Sequence, residues 1–229
     1  MIFDSLGMII AAGGSGSRFS KTENKLLVDF RGKPVLIHAL STFLPVLKPG
    51  NMAIAAPANL LEEMKALVDS YLPGNMIKWT VGGATRLASV ANAAGLLDRD
   101  LELVAIHDAA RPQATVELLE ELCKNAKIHG GAIPGIAPVD TVKAVDENGI
   151  ITANLIRKNL ALVATPQVFC FKDYLNALAS LPEELLAGKV ENAQLTDDAA
   201  VFMQAGFKVK VVFSQAQNTK ITVKSDIDK

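Results

Sequence analysis

The chain has 229 residues, of which 50% are hydrophobic and 21% are charged, a composition typical of a folded globular protein and not of a disordered one. Lys and Arg total 23 and Asp and Glu total 24, so the net charge of −1 gives no broad attraction to nucleic acid or anionic lipid. We therefore expect a single domain over residues 1–229, with its important basic residues gathered in a local site.

The cysteine content and the hydropathy of the chain bear on its compartment. Cys123 and Cys170 are too few for a disulfide framework or a zinc site. The first seven residues carry an acid where a signal peptide carries Lys or Arg, and no apolar run approaches the roughly 18 residues of a membrane span. We expect a cytoplasmic protein that binds neither membranes nor nucleic acid.

Short apolar runs alternate with amphipathic segments over the first 137 residues. The predicted strands are 8–12, 52–56, 76–81, 103–107 and 131–137, and the predicted helices between them are 34–44, 60–71, 86–97 and 115–127. The strand runs are continuously apolar, which indicates strands that are covered on both faces. The alternation predicts an α/β fold with a mostly parallel sheet.

The alternation breaks at residues 138–160, where Asn148-Gly149 separates two β-prone runs and predicts a β-hairpin. We interpret this segment as a protruding β-arm. The pattern then predicts a strand over 168–171, helices over 172–179 and 197–205, and strands over 208–213 and 220–223. Thr196 is the predicted cap of the last helix and Gly206 its end.

A glycine-rich loop follows the first strand, reading Ala11-Ala12-Gly13-Gly14-Ser15-Gly16-Ser17-Arg18. Its glycines allow backbone N–H groups to approach phosphate oxygens, and Arg18 with Lys25 would add two cations. The loop lacks the Gly-Lys-Ser/Thr of a P-loop and the third glycine of a dinucleotide fingerprint. We expect a phosphate-binding loop, the alternative being an ordinary glycine-rich turn.

The segment His107-Asp108-Ala109-Ala110-Arg111-Pro112 follows another predicted strand. Ligands collect beyond the carboxyl ends of parallel strands, so Asp108 should face the same crevice as the glycine-rich loop. A carboxylate beside phosphates is a natural Mg²⁺ ligand, although it could instead be a helix cap. Arg111 would meet an anionic substrate, whereas His107 has no evident catalytic role.

The remaining polar clusters are less specific. Residues 81–90 lie between a strand and a helix, where a base-recognition loop and a plain turn are equally compatible with the pattern. Thr141, Arg157, Thr165 and Lys220 are isolated polar residues, and spacing alone assigns them no role.

Taken together, these residues resemble the 2-C-methyl-D-erythritol 4-phosphate cytidylyltransferase family of the non-mevalonate isoprenoid pathway. Blocks in that family's order span nearly the whole chain: 11–18 with Lys25, 82–90, 107–112, 138–143 with Arg157 and 165–167, and 218–222. The block His-Asp-Ala-Ala-Arg-Pro is the most specific of them. The glycine-rich block is shared by many nucleotidyltransferases.

The resemblance implies a single-domain Rossmann-like nucleotidyltransferase fold with a seven-stranded mixed sheet, and a homodimer whose arms interlock. The implied nucleotide-binding residues, for CTP, are Ala11, Ala12, Gly13, Gly14, Gly16, Gly83, Ala84, Ser89 and Ala109. The implied catalytic cations are Arg18, Lys25 and Lys220, and the implied metal ligand, for Mg²⁺ or another divalent cation, is Asp108. The implied contacts to the sugar-alcohol phosphate are Arg111, Thr141, Arg157, Thr165 and Lys220.

Four features depart from the family pattern. The glycine-rich loop is one residue longer than usual, and Asn24-Lys25-Leu26-Leu27 stands where Pro-Lys-Gln-Tyr is typical. Ala84 stands where the family often has Asp, which weakens its assignment to base recognition. The sequence ends at Lys229, before the family's usual final helix, so we expect a truncated or absent tail.

The implied reaction is in-line attack of the acceptor's phosphate oxygen on the α-phosphorus of CTP. Three alternatives remain open at this point. The acceptor could be ribitol 5-phosphate or another alditol phosphate. The chain could be a sugar-1-phosphate nucleotidyltransferase that uses UTP or a purine nucleotide. It could also be an inactive nucleotide-binding module.

Overall fold

The computed structural model describes residues 3–13, 19–20, 23–190, 192–214 and 218–227. Its strands are β1 Leu6–Ala11, β2 Asp29–Phe30, β3 Lys33–Pro34, β4 Met52–Ala56, β5 Lys78–Val81, β6 Leu103–Asp108, β7 Gly131–Ile136, β8 Lys143–Val145, β9 Ile151–Asn154, β10 Leu162–Val163, β11 Gln167–Cys170 and β12 Val209–Phe213. Its α-helices are α1 Val35–Phe43, α2 Leu61–Tyr71, α3 Arg86–Ala94, α4 Val116–His129, α5 Phe171–Ala179, α6 Glu183–Leu186 and α7 Asp198–Gln204. Short 3₁₀ turns lie at Leu44–Val46, Arg157–Asn159 and Lys224–Asp226.

The fold is built on one eight-stranded sheet. Seven of its strands follow the order β10-β7-β11-β6-β1-β4-β5, and the eighth, β12, also pairs with β7. Strands β1, β4, β5 and β6 are mutually parallel, and β10 and β11 run antiparallel to their neighbours. The predicted mostly parallel mixed sheet is confirmed. Its described part has eight strands instead of the implied seven, because the two-residue β10 joins its edge.

Two hydrophobic cores cover the two faces of this sheet. Met8 and Ile10 of β1 belong to one core, which includes Leu36, Leu40 and Phe43 of α1. Ile9, between them, belongs to the other core, which is built from Val90 of α3, Phe169 of β11, Tyr174 of α5 and Phe202 of α7. Successive strand residues point to opposite faces, so a continuously apolar strand fills both cores at once.

The arm, residues 138–160, forms a hairpin of its own. Strands β8 and β9 pair antiparallel, and Gly149 turns the chain with a φ of 80°. The side chain of Asp146 closes the turn by accepting hydrogen bonds from the backbone N–H groups of Asn148 and Ile150. The hairpin predicted from Asn148-Gly149 is therefore present.

Two local predictions are wrong. No strand forms over 220–223, because the backbone N–H of Ile221 bonds to the carbonyl of Ala110, and that of Thr222 bonds to the side chain of Asp226. Asp197, not Thr196, caps α7 by accepting from the N–H of Ala200 at 2.9 Å. In segment 220–223, the backbone N–H groups therefore bond to a loop carbonyl and a side chain instead of to a neighbouring strand.

Two further observations concern the compartment. No helix in the described part of the chain combines the length and the apolar character needed to cross a bilayer. Cys123 and Cys170 are both free, and burial raises the pKa of the Cys123 thiol to about 12.

Candidate active site

The site lies where β1 and β6 end side by side. These parallel strands are paired in register, with Ala11 opposite Asp108, so the loops that follow both strands leave the sheet at one edge. The backbone N–H of Ala109 donates to the carbonyl of Ala11 at 3.2 Å and joins the two loops. The predicted residues Gly14, Gly16 and Arg18 lie outside the described residues.

A cavity of about 280 Å³ opens at this edge, and we call it the nucleotide cavity after the ligand that the sequence predicts for it. Its wall contains predicted residues from four separate parts of the sequence: Ala11, Ala12, Gly13, Lys25, Gly83, Ala84, Ser89, Asp108 and Lys220. Leu26, Thr85, Arg86 and Ala110 complete the wall. Ala110, not Ala109, faces the cavity, because Ala109 is fully buried between the strand ends.

Asp108 is the centre of the charges in this cavity. Its Oδ2 accepts from Nζ of Lys220 at 2.7 Å and lies 3.6 Å from Nε of Arg111, and its Oδ1 accepts from Nε of Arg86 at 3.2 Å. We call these four residues the Asp108 cluster. Burial alone would raise the pKa of the Asp108 carboxyl, but the attraction of Arg86, Lys220 and Arg111 outweighs it and holds that pKa well below its usual range.

Arg86 extends the cluster into the protein interior. Its Nη1 donates to Oδ2 of Asp198 at 2.7 Å, and Oδ1 of Asp198 accepts from the hydroxyl of Tyr174 at 2.7 Å. Burial would lower the pKa of the Arg86 guanidinium, but Asp198 and Asp108 outweigh it and raise that pKa. Sequence reasoning placed Arg86 at a helix start and gave it no role.

Lys25 connects the loop after β1 to the end of the described chain. Its Nζ donates to the carbonyl of Ile221 at 2.9 Å, and the N–H of Ile221 donates to the carbonyl of Ala110 at 2.8 Å. Nη1 of Arg111 donates to the carbonyl of Asn218 at 2.7 Å. The segment 218–222 is therefore held against the edge of β6, which brings Lys220 to Asp108.

His107 and Thr165 support this edge from inside the protein. The carbonyl of Arg111 lies 3.1 Å from Nε2 of His107 and can only accept, so Nε2 carries the proton and donates to it. In the neutral ring Nδ1 then accepts from the hydroxyl of Thr165 at 3.1 Å, and the oxygen of that hydroxyl accepts from the N–H of Asp108 at 3.0 Å. Burial lowers the pKa of His107 to about 4, so the ring is neutral, as expected of a structural histidine.

The predicted base-recognition loop lies on the opposite wall. Oγ of Ser89 donates to the carbonyl of Thr85 at 2.8 Å, and the Thr85 hydroxyl caps α3 by accepting from the N–H of Ala88. A Cβ on Gly83 would lie 2.4 Å from the Cβ of Ala88, so this backbone turn excludes a side chain. Backbone groups at the start of α3 therefore line the cavity closely.

A second cavity of about 420 Å³ adjoins the Asp108 cluster at Arg111, and we call it the acceptor cavity after the ligand that is predicted for Arg111. Its wall consists of Arg111, Leu118, Pro134, Gly135, Ile136, Leu162, Val163, Ala164, Ser214, Asn218 and Thr219. Arg111 therefore lies between Asp108 and this second space.

Three predicted acceptor contacts do not line this second cavity. Thr165 is 4% exposed, and its hydroxyl is engaged by Asp108 and His107. Thr141 and Arg157 lie exposed on the arm, where the Arg157 guanidinium donates to the carbonyl of Val139. The structure thus brings Lys25, Asp108, Arg111 and Lys220 together, and it leaves Thr141 and Arg157 out of this group.

The donor set for a metal is a single carboxylate. No cluster of three His, Cys, Asp or Glu side chains suited to a metal occurs among the described residues. A single carboxylate is still compatible with Mg²⁺, which takes one or two carboxylates and completes its shell with phosphates and water.

Comparison with known proteins gives a consistent result. A sequence model of the family described as 2-C-methyl-D-erythritol 4-phosphate cytidylyltransferase matches residues 6–229. Relatives of that name include one from Caldanaerobacter subterraneus subsp. tengcongensis, 32% identical over 97% of this chain and 96% of the relative. Another, from Clostridium botulinum, is 31% identical over 96% of this chain and 93% of the relative.

Solved structures agree with these sequence matches. The 4-diphosphocytidyl-2C-methyl-D-erythritol synthase from Anaerococcus prevotii superposes with a TM-score of 0.79 at 27% identity, over 97% of this chain and 94% of that one. The 2-C-methyl-D-erythritol 4-phosphate cytidylyltransferase from Francisella tularensis gives a TM-score of 0.76 at 28% identity, over 98% of this chain and 97% of that one.

Proposed function

Because the chain belongs to the 2-C-methyl-D-erythritol 4-phosphate cytidylyltransferase family, we propose that it transfers CMP from CTP to 2-C-methyl-D-erythritol 4-phosphate. The products are 4-diphosphocytidyl-2-C-methyl-D-erythritol and pyrophosphate, in the non-mevalonate route to isoprenoid precursors. The observation that carries the proposal is the convergence of Lys25, Arg111 and Lys220 around Asp108 at the edge of one sheet.

The charge balance of the site favours a polyanionic ligand. Four cations, Lys25, Arg86, Arg111 and Lys220, meet two carboxylates, Asp108 and Asp198, within the described residues. Nη2 of Arg86 is buried without a hydrogen-bond partner, and Nε of Arg111 lies 3.6 Å from Oδ2 of Asp108. Because cations outnumber carboxylates here, an anion bound in this site would be stabilised by the excess positive charge.

The reaction joins two anions, and their repulsion is the main obstacle. In the proposed mechanism, the acceptor's phosphate oxygen attacks the α-phosphorus of CTP in line with the departing pyrophosphate. Lys25 and Lys220 would neutralise the phosphates, as would Arg18, and would stabilise the charge that builds up on the leaving group. The attacking phosphate oxygen is already ionised, so the step requires no general base.

Asp108 is the residue that would hold the divalent cation. The cation would supply further neutralisation of phosphate charge when it is bound. Oδ2 of Asp108 lies at the nucleotide cavity and is now bonded to Lys220. We propose that Lys220 turns from Asp108 towards the ligand phosphates when nucleotide binds, which leaves this oxygen accessible.

The acceptor cavity has a composition that suits a small sugar-alcohol phosphate. Arg111 is its cation, and Ser214, Asn218 and Thr219 are its polar residues, beside an apolar wall from β7 and β10. A phosphate bound by Arg111 would lie next to the Asp108 cluster, and the methyl-bearing carbon chain would extend along the apolar wall. This arrangement supports the assignment of Arg111 as an acceptor contact.

We further propose that two copies of the chain pair through their arms. Val139, Ile150, Ile151 and Ile156 of the arm are between 60% and 85% exposed, so one chain leaves these apolar side chains uncovered. Pairing would bury these side chains and could bring Thr141 and Arg157 to the partner's acceptor cavity. With CTP as substrate and two free cysteines, we place this homodimer in the cytoplasm.

The decisive experiment is an assay of pyrophosphate release with CTP, Mg²⁺ and 2-C-methyl-D-erythritol 4-phosphate. Parallel reactions replace the acceptor with ribitol 5-phosphate, or replace CTP with UTP or a purine nucleotide. We expect turnover with CTP and the methylerythritol substrate to exceed every other combination. Equal turnover with ribitol 5-phosphate would reject the proposed acceptor, and no turnover with any pair would reject the enzymatic assignment.

A further inference from the structure

Arg86 occupies a position that local helix energetics disfavour. It is the first residue of α3, where the partial positive charge of the helix N-terminus repels a cation. Its guanidinium is nevertheless shared between two carboxylates, with Nε on Asp108 and Nη1 on Asp198. The attraction of two carboxylates outweighs the repulsion at the helix start, so the position is explained by its partners.

The interior end of this arrangement is immobilised by the core. Asp198 is 1% exposed, and its second oxygen accepts from the hydroxyl of Tyr174, which is fully buried. The ring of Tyr174 stacks on Phe169 in the core on that face of the sheet, with ring centroids 5.3 Å apart. Tyr174, Asp198 and Arg86 therefore form a chain of bonds from the packed interior to the nucleotide cavity.

The two oxygens of Asp108 consequently have different surroundings. Oδ1 is held by Arg86, whose own position is set by Asp198. Oδ2 lies 3.6 Å from Nε of Arg111, and its hydrogen bond comes from Lys220, whose side chain is 37% exposed and belongs to an irregular segment. A flexible and partly exposed ammonium exchanges partners more readily than a guanidinium fixed at both ends.

We propose that Arg86 is a positioning residue for the reaction given above, on which this inference rests. Through its bond to Asp198, it keeps Oδ1 of Asp108 occupied and the carboxylate oriented. Oδ2 is then the oxygen that Asp108 presents to Lys220 and to the divalent cation that accompanies CTP. The alternative is that the Arg86–Asp198 pair only joins α3 to α7.

The test compares Arg86→Lys, which keeps the charge but not the two-pronged geometry, with Asp198→Asn, which keeps the volume. Calorimetry measures the affinity for CTP alone, once with Mg²⁺ and once with EDTA. We expect the affinity with Mg²⁺ to fall about 10- to 100-fold, as for other residues that orient a metal ligand. The affinity in EDTA should stay within about twofold of wild type. Arg99→Gln, on an exposed loop, is the matched control.

The outcomes separate positioning from a purely structural role. A loss of affinity that is equal with Mg²⁺ and with EDTA, or no loss at all, would overturn the proposal. The double variant Arg86→Lys/Asp108→Asn should bind no more weakly than Asp108→Asn alone, because Arg86 acts through Asp108; additive losses would also overturn it. If Arg86→Lys does not fold, Tyr174→Phe removes one bond of the chain and should give a smaller loss, again confined to Mg²⁺.

These binding measurements need no acceptor, so they stand apart from the proposed function. In steady-state assays, the same variants should lower kcat by about 10- to 100-fold and leave the KM for the acceptor almost unchanged. If wild type binds CTP with Mg²⁺ but transfers nothing to methylerythritol phosphate, the proposed function fails while the positioning role is still decided by calorimetry.

Discussion

The Asp108 cluster and the arm both carry residues that the sequence assigned to substrates, yet they differ in how far one chain completes them. Asp108 is 7% exposed and its oxygens are bonded to residues from two other parts of the chain. Val139 in the arm is 85% exposed, and Ile151 is 60% exposed. The comparison shows that the charged residues of the proposed site are packed together within one chain, whereas the arm leaves its apolar side chains uncovered.

The largest effect should come from removing a cation near the cluster. Lys25→Ala deletes the ammonium that lines the nucleotide cavity, and we expect kcat to fall about 10²- to 10³-fold, as when one preorganised charge-stabilising group is lost. The exposed Lys48 provides the matched control, Lys48→Ala, which should stay at wild-type turnover. Near-normal kcat for Lys25→Ala would contradict the proposed role of this part of the chain, because its cation would then not act on the reaction.

The second effect concerns stability at low pH. His107 is neutral in the folded protein, with a pKa of about 4 against about 6.5 in an unfolded chain. The contribution of the neutral ring to the free energy of unfolding is complete above pH 6.5 and is lost as the pH falls towards 4. The total loss is about 3 kcal/mol. In urea denaturation, the free energy of unfolding should fall less between pH 6.5 and pH 4 for His107→Gln than for wild type. An equal fall in the two proteins would show that the buried ring of His107 does not determine the pH dependence of stability in this range.

The third effect tests the arm. Ile151→Asp places a charge in the proposed pairing surface and should weaken association of two chains about 10- to 100-fold, from the loss of about 1.5–3 kcal/mol of apolar burial. Sedimentation equilibrium measures this association. Met76 is exposed outside the arm, so Met76→Asp is the control. CTP affinity should be unchanged, since Ile151 is not among the described residues that line the nucleotide cavity. A wild-type protein that sediments as a monomer would remove the arm's proposed role.

The smallest effect distinguishes two helix caps. Thr85 caps α3 beside the nucleotide cavity and Thr115 caps α4 away from it, each through one side-chain hydrogen bond. Either Thr→Ala change should lower the free energy of unfolding by about 1 kcal/mol. We expect turnover to fall in Thr85→Ala alone, because removal of the capping hydroxyl frays the first turn of α3, which carries Arg86. Equal turnover in the two variants would show that this turn tolerates fraying.

Much of the fold followed from hydrophobic pattern. The strand over 52–56 was predicted to the residue, and the apolar run at 103–107 correctly placed Asp108 at the end of a strand beside the first loop. Parallel pairing makes this inference possible, because strands that end at one edge of a sheet bring distant loops together. The convergence of Lys25 and Asp108 was therefore predictable from the pattern, whereas Lys220 was assigned to the site only through the family resemblance.

Other features depended on tertiary partners that no local pattern reveals. Arg86 reads as an ordinary helix residue until Asp198, 112 positions away, is placed beside it. The β-prone run 220–223 has strand propensity, but its N–H groups bond to a loop carbonyl and to Asp226. Ala109 and Ala110 cannot be distinguished by sequence, since only the turn after β6 decides which of them lines the nucleotide cavity.

The bond from Lys25 to Ile221 joins residues 196 positions apart, and the bond from Asp108 to Lys220 joins residues 112 positions apart. Contacts with such long separations form late in folding, because closing a long loop has a high entropic cost before the contact rewards it. We expect a refolding chain to regain its circular-dichroism signal before it regains CTP binding. Simultaneous recovery of both signals in stopped-flow refolding would refute this order.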